Sequence, residues 1–197
     1  KDYKTAKEWF LKASQLAPQD SVLRDKMEDC DLRLWDLAVE AAEKSGDAEK
    51  LKEVRITRLK AFIASFLRRV ADRPTDMALR FELGKAYYNA GQVDKAMGEF
   101  QQSAKDPKRK VLSHYYLGLA FGRKKMYDLA DGQFTKSEDA GGGVLQQSLQ
   151  LDIWYQRARV LAESGKKAKA IEFGSKIMEV DIGYKDISGL MEGWTAE

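Results

Sequence analysis

Cysteine and histidine are nearly absent from this chain of 197 residues, which contains one of each, Cys30 and His114. A single cysteine excludes a disulfide within the chain and any metal site built from several cysteines. A single histidine excludes histidine-rich metal sites and any mechanism that needs two histidines. The chain also lacks an apolar run of about 18 residues, so we expect no membrane-spanning segment.

Proline is scarce as well, at three residues, whereas 33% of the residues are charged and 44% are hydrophobic. The hydrophobic share is too high for a disordered chain, and the charged share exceeds the usual quarter. The composition therefore predicts a folded protein of long helices with solvated faces. The net charge of +3 is small for a dedicated nucleic-acid-binding protein. Because the chain begins at Lys1 without methionine, we expect an internal piece of a longer protein.

The chain matches itself at an offset of 34 residues, and a third copy follows at an offset of 74 from the first. Leu83, Gly84, Ala96, Phe100 and Ser103 recur as Leu117, Gly118, Ala130, Phe134 and Ser137. In the third copy Ala158 stands in the place of Gly84. Apolar residues at three- and four-residue spacing on both sides of a short break predict two amphipathic helices per copy. The small residues predict a close crossing of those two helices.

This pattern resembles the tetratricopeptide repeat (TPR), which has Leu-Gly, an aromatic, a turn glycine, alanine and a second aromatic at fixed places. The matching segments are residues 77–110, 111–144 and 151–184, and residues 6–18 carry the spacing of a second helix. Residues 179–186 are also similar to the end of repeat arrays in bacterial proteins. The resemblance implies an all-α fold, a right-handed superhelical array of antiparallel helix pairs (an α-solenoid).

We expect three regions along the chain. Residues 1–19 are predicted to be the second helix of a truncated repeat, whose missing first helix would lie upstream. Residues 20–73 are predicted to form an elongated helical hairpin, and residues 74–197 a TPR array with a C-terminal capping helix.

The predicted hairpin begins with apolar residues in a heptad-like seam on a helix of about 24 residues. The seam residues are Leu23, Met27, Cys30, Leu34, Leu37 and Ala41. Asp20 and Ser21 are suited to cap the start, and residues 45–47 are suited to break the two helices. The second helix is expected to turn Leu51, Leu59, Phe62, Phe66 and Val70 inward. One interpretation is a stretched repeat that packs into the array, and the alternative is a projecting coiled-coil arm that dimerises.

Charge is segregated along the sequence. Residues 20–53 carry a net charge of −5, and residues 54–136 carry +9. Basic residues cluster in predicted turns near positions 105–110, 123–125 and 166–169. We interpret these clusters as a solvated rim, because a nucleic-acid footprint would interleave them with exposed aromatic residues. An acidic protein surface is the alternative partner for this rim.

No catalytic group stands out. His114 occupies the large-residue place of its repeat, so we predict a packing role for it. The glycines at 141–143 lack the following Lys and Ser or Thr of a phosphate loop, and we predict a connector. Cys30 lies on an apolar helix face without a basic neighbour, which predicts an unreactive thiol. We therefore predict a protein that is not an enzyme and that uses no cofactor or metal.

The resemblance implies that first-helix residues of each repeat line a concave groove. In this sequence those places hold Phe81, Lys85, Tyr88 and Asn89, then Tyr115, Leu119, Gly122 and Arg123, then Tyr155, Arg159 and Ala162. Phe81, Tyr115 and Tyr155 share one place, which suggests an aromatic ladder. Phe81 and Tyr115 stand where the family's carboxylate clamp would have Lys or Asn, so we do not expect that clamp.

The resulting hypothesis is a non-catalytic scaffold that binds a protein or peptide segment in its concave groove, with no nucleic-acid partner. The alternative is a structural module that self-associates into homo-oligomers through its repeat ends or long hairpin, with the groove filled by its own chain. Residues 184–197 lying in the groove would favour this alternative. A third hypothesis is an accessory to an enzyme or nucleic-acid-binding protein whose active part lies outside this chain.

Overall fold

The computed structural model of the chain describes residues 2–196, and every regular element in this range is an α-helix. The all-α fold predicted from the sequence is therefore confirmed. The helices are α1 (Tyr3–Leu16), α2 (Ser21–Ser45), α3 (Ala48–Asp72), α4 (Met77–Asn89), α5 (Val93–Ser103), α6 (Pro107–Arg123), α7 (Tyr127–Gly141), α8 (Gln147–Glu163), α9 (Lys167–Val180) and α10 (Ile187–Thr195). Each helix in the described range is too short or too polar to cross a membrane.

The chain forms two compact units, and the boundary between them falls between Leu79 and Arg80. In the first unit α1 packs on α2, and α2 packs on α3. The Asp20 side chain caps α2 by accepting the backbone N–H of Val22 at 2.8 Å. Gly46, with a φ of 70°, ends α2 in the left-handed conformation, and the Asp47 side chain caps α3. The predicted cap and break of the hairpin are thus confirmed.

The predicted seam of α2 is correct in its first half and wrong in its second half. Cys30 is buried, but Leu37 is 45% exposed and Ala41 is also exposed. Ala42 is buried in their place. A straight helix has 3.6 residues per turn, so a strict seven-residue seam drifts around its surface within two or three heptads. The buried stripe therefore moves by one residue before the end of α2.

A network of ion pairs joins α2 to α3. Arg68 donates from Nε to Glu28 Oε1 at 2.7 Å and also pairs with Asp25, while Arg73 pairs with Asp25 from the end of α3. Burial alone would raise the pKa of Asp25, but hydrogen bonding from Arg68 and the charges of Arg69 and Arg73 outweigh it and lower that pKa. Much of the charge segregation in the sequence thus becomes pairing between the two arms of the hairpin.

In the second unit, α4 with α5, α6 with α7, and α8 with α9 form three successive helix pairs, and α10 packs on α9. Gly84 and Gly118 allow the first two pairs to approach closely. A Cβ atom on Gly84 would lie 2.7 Å from the Phe100 ring, and one on Gly118 would lie 2.5 Å from the Phe134 ring. Both rings are fully buried, which agrees with the predicted close crossing of the two helices in each pair.

In the third pair the residue on the first helix is larger and the residue on the second helix is smaller than in the other two pairs. Ala158 stands in the place of Gly118, and Gly174 stands in the place of Phe134. The Met191 side chain of α10 fills the vacated volume, since a Cβ on Gly174 would lie 2.5 Å from Met191 Sδ. The C-terminal helix therefore completes the core of the last helix pair.

The turns inside the three pairs share one backbone conformation. Gly91 and Gly165 have positive φ angles of 73° and 79°, and Lys125 holds the same place with a φ of 58°. This left-handed conformation is strained for a residue with a Cβ atom. The middle turn therefore keeps the repeat geometry without the glycine that usually provides it.

Candidate functional site

A pocket of about 510 Å³ opens on the face of the second unit formed by α4, α6 and α8. We call it the groove pocket. Its lining residues are Tyr88, Gly118, Leu119, Gly122, Arg123, Lys125, Tyr127, Phe134, Gln156, Arg159, Val160 and Glu163. Tyr88, Leu119, Gly122, Arg123 and Arg159 of this set were predicted groove residues, and the structure brings them together.

The pocket exists because α6 has no side chain at Gly122, opposite Val160 in the lining. At Gly118, one turn earlier, the Phe134 ring occupies the place of a side chain. A Cβ atom on Gly122 would lie 3.6 Å from Val160 Cγ1, an ordinary contact, so a side chain fits there without moving its neighbours. Gly122 therefore provides an opening that a larger residue would fill.

Arg123 is held in a defined position on the rim of the pocket. Its guanidinium lies 3.6 Å from the centre of the Tyr88 ring, and its Nη1 donates to the Tyr88 carbonyl oxygen at 2.6 Å. Burial raises the pKa of the Tyr88 hydroxyl, and the positive charge of Arg123 only partly opposes this effect. Tyr88 is therefore a neutral ring at physiological pH, which favours cation–π stacking with the arginine.

Charges around the pocket are predominantly positive. Arg123, Lys125 and Arg159 line it together with one acid, Glu163, which accepts a long hydrogen bond of 3.5 Å from the Tyr127 hydroxyl. Within residues 2–196 no carboxylate lies at ion-pair distance from Arg123 or Arg159; their contacts are with aromatic rings and a carbonyl. The pocket thus presents two guanidinium groups whose charge is not neutralised by direct pairing.

The suggested aromatic ladder does not line an open surface, which corrects the sequence interpretation. Phe81 is only 2% exposed and Tyr155 only 7% exposed. The Phe81 ring packs edge-on against Tyr116 of the neighbouring α6 at 5.6 Å between centroids, and Tyr115 is half-buried against Phe134. The aromatic residues at this place contribute to packing between helix pairs, because the next helix pair covers them.

Other residues of the chain cover Tyr155, the predicted groove residue of the third helix pair. The Tyr155 hydroxyl donates to Asp186 Oδ1 at 2.6 Å, and the Tyr184 hydroxyl donates to Asp152 Oδ1 at 2.5 Å. Burial and the hydrogen bond to Asp186 together raise the pKa of Tyr155. Residues 184–186 therefore close the end of this face over Tyr155 but are not among the residues that line the groove pocket.

The remaining predicted groove residues lie outside the pocket lining. Lys85 pairs with Glu82 on its own helix at 2.8 Å, Asn89 is exposed, and Ala162 is half-buried.

Conversely, the lining contains residues that were not predicted from the sequence, among them Lys125, Tyr127, Gln156 and Glu163. Glu163 could have been predicted from the sequence, since it occupies the same position in the third repeat as Asn89 and Arg123 do in the first two.

Other residues considered for chemistry have structural environments. His114 is half-buried, with Nδ1 2.9 Å from Gln133 Oε1. Burial of Cys30 raises its pKa, which disfavours the reactive thiolate. Gly142 adopts the left-handed conformation that ends α7. Across residues 2–196 no group of three or more His, Cys, Asp and Glu side chains is arranged to hold a metal ion.

Comparisons with known proteins identify the fold. No protein-family profile matches the chain, and no curated protein matches it in sequence. Among solved structures it is similar to YrrB, described as a TPR protein with an unusual peptide-binding site, with a TM-score of 0.65 and 16% identity over 93% of this chain and 97% of YrrB. The thermophilic TPR protein TTC0263 of Thermus thermophilus gives a TM-score of 0.57 and 13% identity over 99% of this chain and 100% of that one. The crystal structure of MamA gives a TM-score of 0.60 and 17% identity over 74% of this chain and 88% of MamA.

Proposed function

Since the chain has the tetratricopeptide repeat fold, as its sequence resemblance implied, we propose that it is a non-catalytic scaffold that binds a segment of a partner protein in the groove pocket. The observation that carries this proposal is the pocket on the α4, α6 and α8 face, with two arginines that have no carboxylate partner in the described chain. YrrB, a protein of similar fold, is described as having a peptide-binding site, which supports the same class of function.

The composition of the pocket fits a peptide better than a small polar metabolite. Leu119 and the Tyr127 ring provide partly exposed apolar surface, while arginine, glutamine and glutamate side chains surround it. Protein-binding sites commonly combine an apolar centre with a polar rim that orients the partner. Arg123 is held by Tyr88, so part of its side-chain entropy is already lost before a partner binds.

Filling of the groove by the chain itself is the alternative. Residues 184–186 cover Tyr155, which agrees with that hypothesis at this one position. The groove pocket is open, however, and Asp186 of the C-terminal segment, whose pKa is lowered by the hydrogen bond from Tyr155 and by the charge of Arg159, is not among its lining residues. This favours an external segment over self-filling for the pocket.

Selection of binding peptides tests the proposal. Random ten-residue peptides displayed on phage would be selected on the purified chain, and the enriched peptides would be measured by fluorescence anisotropy. Gly122→Trp fills the pocket from within, where the structure has space for a side chain. Gly132→Trp is the matched control, because Gly132 lies on α7 with nothing within 4 Å of an added Cβ atom.

We expect the selected peptides to lose at least about tenfold in affinity with Gly122→Trp, equivalent to about 1.4 kcal/mol. Gly132→Trp should bind them like the parent chain. Melting curves of both variants confirm that they are folded. If no peptide is enriched, or if both variants bind the peptides equally well, the groove pocket is not the binding site.

A further inference from the structure

The pocket also indicates which side chain of a partner it recognises. Resting on the proposed function, we infer that the groove pocket binds an internal acidic side chain, Asp or Glu, of a partner segment, together with an apolar residue two positions away. The carboxylate lies against Arg123 and Arg159, and the apolar side chain lies on the partly exposed Leu119 and Tyr127 side chains of the lining.

Arg123 has hydrogen-bonding capacity left for a partner. A guanidinium has five N–H donors in a planar fork that matches the two oxygens of a carboxylate. Arg123 uses Nη1 on the Tyr88 carbonyl, and its plane is held against the Tyr88 ring. Its other donors have no carboxylate partner within residues 2–196. A held arginine with free donors on a pocket rim is suited to a charged acceptor, because such hydrogen bonds are about twice as strong as neutral ones.

The charged side chains of the lining favour an anionic partner group. Three cationic side chains, Arg123, Lys125 and Arg159, line the pocket with one anionic side chain, Glu163. The resulting positive potential favours an anion over a cation. The net positive lining attracts a phosphate as well as a carboxylate, so the phosphoserine peptides described below separate these two anions.

The geometry of an extended segment sets the spacing of the recognised residues. Side chains at positions i and i+2 of an extended segment lie on the same side. Because the arginines and the apolar residues line one pocket, a carboxylate and an apolar side chain that both enter it come from the same side of the segment. The expected sequence is therefore an apolar residue and an acidic residue separated by one position.

Synthetic peptide mixtures test this inference. Three mixtures of ten-residue peptides carry Leu-x-Glu, Leu-x-Gln or Leu-x-Lys at the centre, with flanking positions drawn from Ala, Ser, Gly and Asn. All are N-acetylated and C-amidated, so that the central side chain provides the only carboxylate. Affinities are measured by fluorescence anisotropy for the parent chain and for Arg123→Gln, Arg159→Gln and Lys136→Gln. Lys136 is an exposed cation on α7 outside the groove pocket, which makes it the control.

We expect the Leu-x-Glu mixture to bind the parent about tenfold more tightly than Leu-x-Gln, with Leu-x-Lys weakest. Arg159→Gln and Arg123→Gln should each remove most of this preference while changing Leu-x-Gln binding less than about twofold. Lys136→Gln should leave the preference intact. Arg159 is exposed, so its variant keeps the test valid if Arg123→Gln disturbs Tyr88.

Two further mixtures test other sources of negative charge. One has Leu-x-phosphoserine at its centre, and the other ends in Leu-x-Gln with a free C-terminal carboxylate. Tighter binding of either mixture than of Leu-x-Glu would overturn the inference in favour of a phosphate or a chain terminus. Binding that is blocked by Gly122→Trp but shows no preference for Glu would overturn the inference and leave the proposed function standing. If Gly122→Trp blocks none of the binding, the proposed function itself fails.

Discussion

Replacing Gly118 by alanine tests the packing argument on which the repeat geometry depends. The added Cβ atom would lie 2.5 Å from Phe134 Cε1 and 2.7 Å from two further ring carbons. Carbon atoms in favourable contact are about 3.5–4.0 Å apart, so the ring or helix α6 must move by about 1 Å. Phe134 is fully buried, so moving the ring disturbs the side chains packed around it.

The expected loss of stability follows from two opposing terms. Overpacking of this kind costs about 1–3 kcal/mol. Alanine gains about 0.5–1 kcal/mol over glycine inside a helix, which partly offsets that cost. We therefore expect Gly118→Ala to lower the free energy of unfolding by about 1–2 kcal/mol. Urea unfolding followed by circular dichroism measures this difference.

Gly132→Ala is the matched control, because Gly132 lies inside α7 and an added Cβ there meets no atom within 4 Å. The same change of residue should stabilise the chain by about 0.5–1 kcal/mol at this position. If Gly118→Ala and Gly132→Ala have the same effect, the close contact between Gly118 and Phe134 does not determine stability, and the repeat geometry is wrong at that pair.

A double substitution extends the test. In the third helix pair, Ala158 is tolerated because Gly174 replaces the aromatic residue. Reducing Phe134 to leucine should therefore lower the cost of Gly118→Ala, giving a favourable coupling of about 1 kcal/mol in a double-mutant cycle. Strictly additive effects of the two substitutions would show that the two residues do not compete for the same volume.

Three further predictions concern the turns, the ion network and the helix caps. Lys125→Gly should raise the stability by about 0.5–1 kcal/mol in urea unfolding, because it removes a side chain from a left-handed turn, and a loss of stability would contradict this. Glu28→Gln should destabilise the chain by about 1–3 kcal/mol at pH 7. Burial would raise the pKa of Glu28, but hydrogen bonds from Arg68 and Ser65 outweigh it and lower that pKa. The difference should therefore begin to shrink as pH falls below about 4.5 in pH-dependent melting and vanish only below the lowered pKa, whereas a pH-independent difference would refute the ionic role. Asp47→Ala should cost about 1 kcal/mol by removing the cap of α3, and unchanged melting would exclude that contribution.

The sequence predicted the repeat geometry well because the spacing of small and aromatic residues reports packing directly. Gly84 and Phe100 recur as Gly118 and Phe134, and each glycine meets its own ring. The exchange at Ala158 and Gly174 could not be interpreted from spacing alone. Its explanation needs Met191, which lies on a helix outside the repeated pattern.

The site was predicted only in part, because a place in a repeat does not determine exposure. Phe81 and Tyr88 are both first-helix residues, yet only Tyr88 lines the pocket, since Phe81 is buried against both Phe100 and Tyr116. The stacking of Arg123 on Tyr88 joins two residues 35 positions apart. The periodicity of the sequence does not indicate which residues form such a contact. The ion pairs between α2 and α3 likewise depend on the register of the hairpin, whereas the charge counts indicated only that opposite charges were segregated.

Site-specific photo-cross-linking in native cell extract tests the central claim most directly. A benzoylphenylalanine at Gln156, in the pocket lining, is compared with one at Gly132, on the exposed surface of α7. We predict that the probe at Gln156 captures a discrete partner protein, that an enriched pocket-binding peptide competes with this capture, and that the probe at Gly132 does not capture the same protein. Equal capture from both positions, or capture that the peptide does not reduce, would contradict binding of a partner segment in the groove pocket.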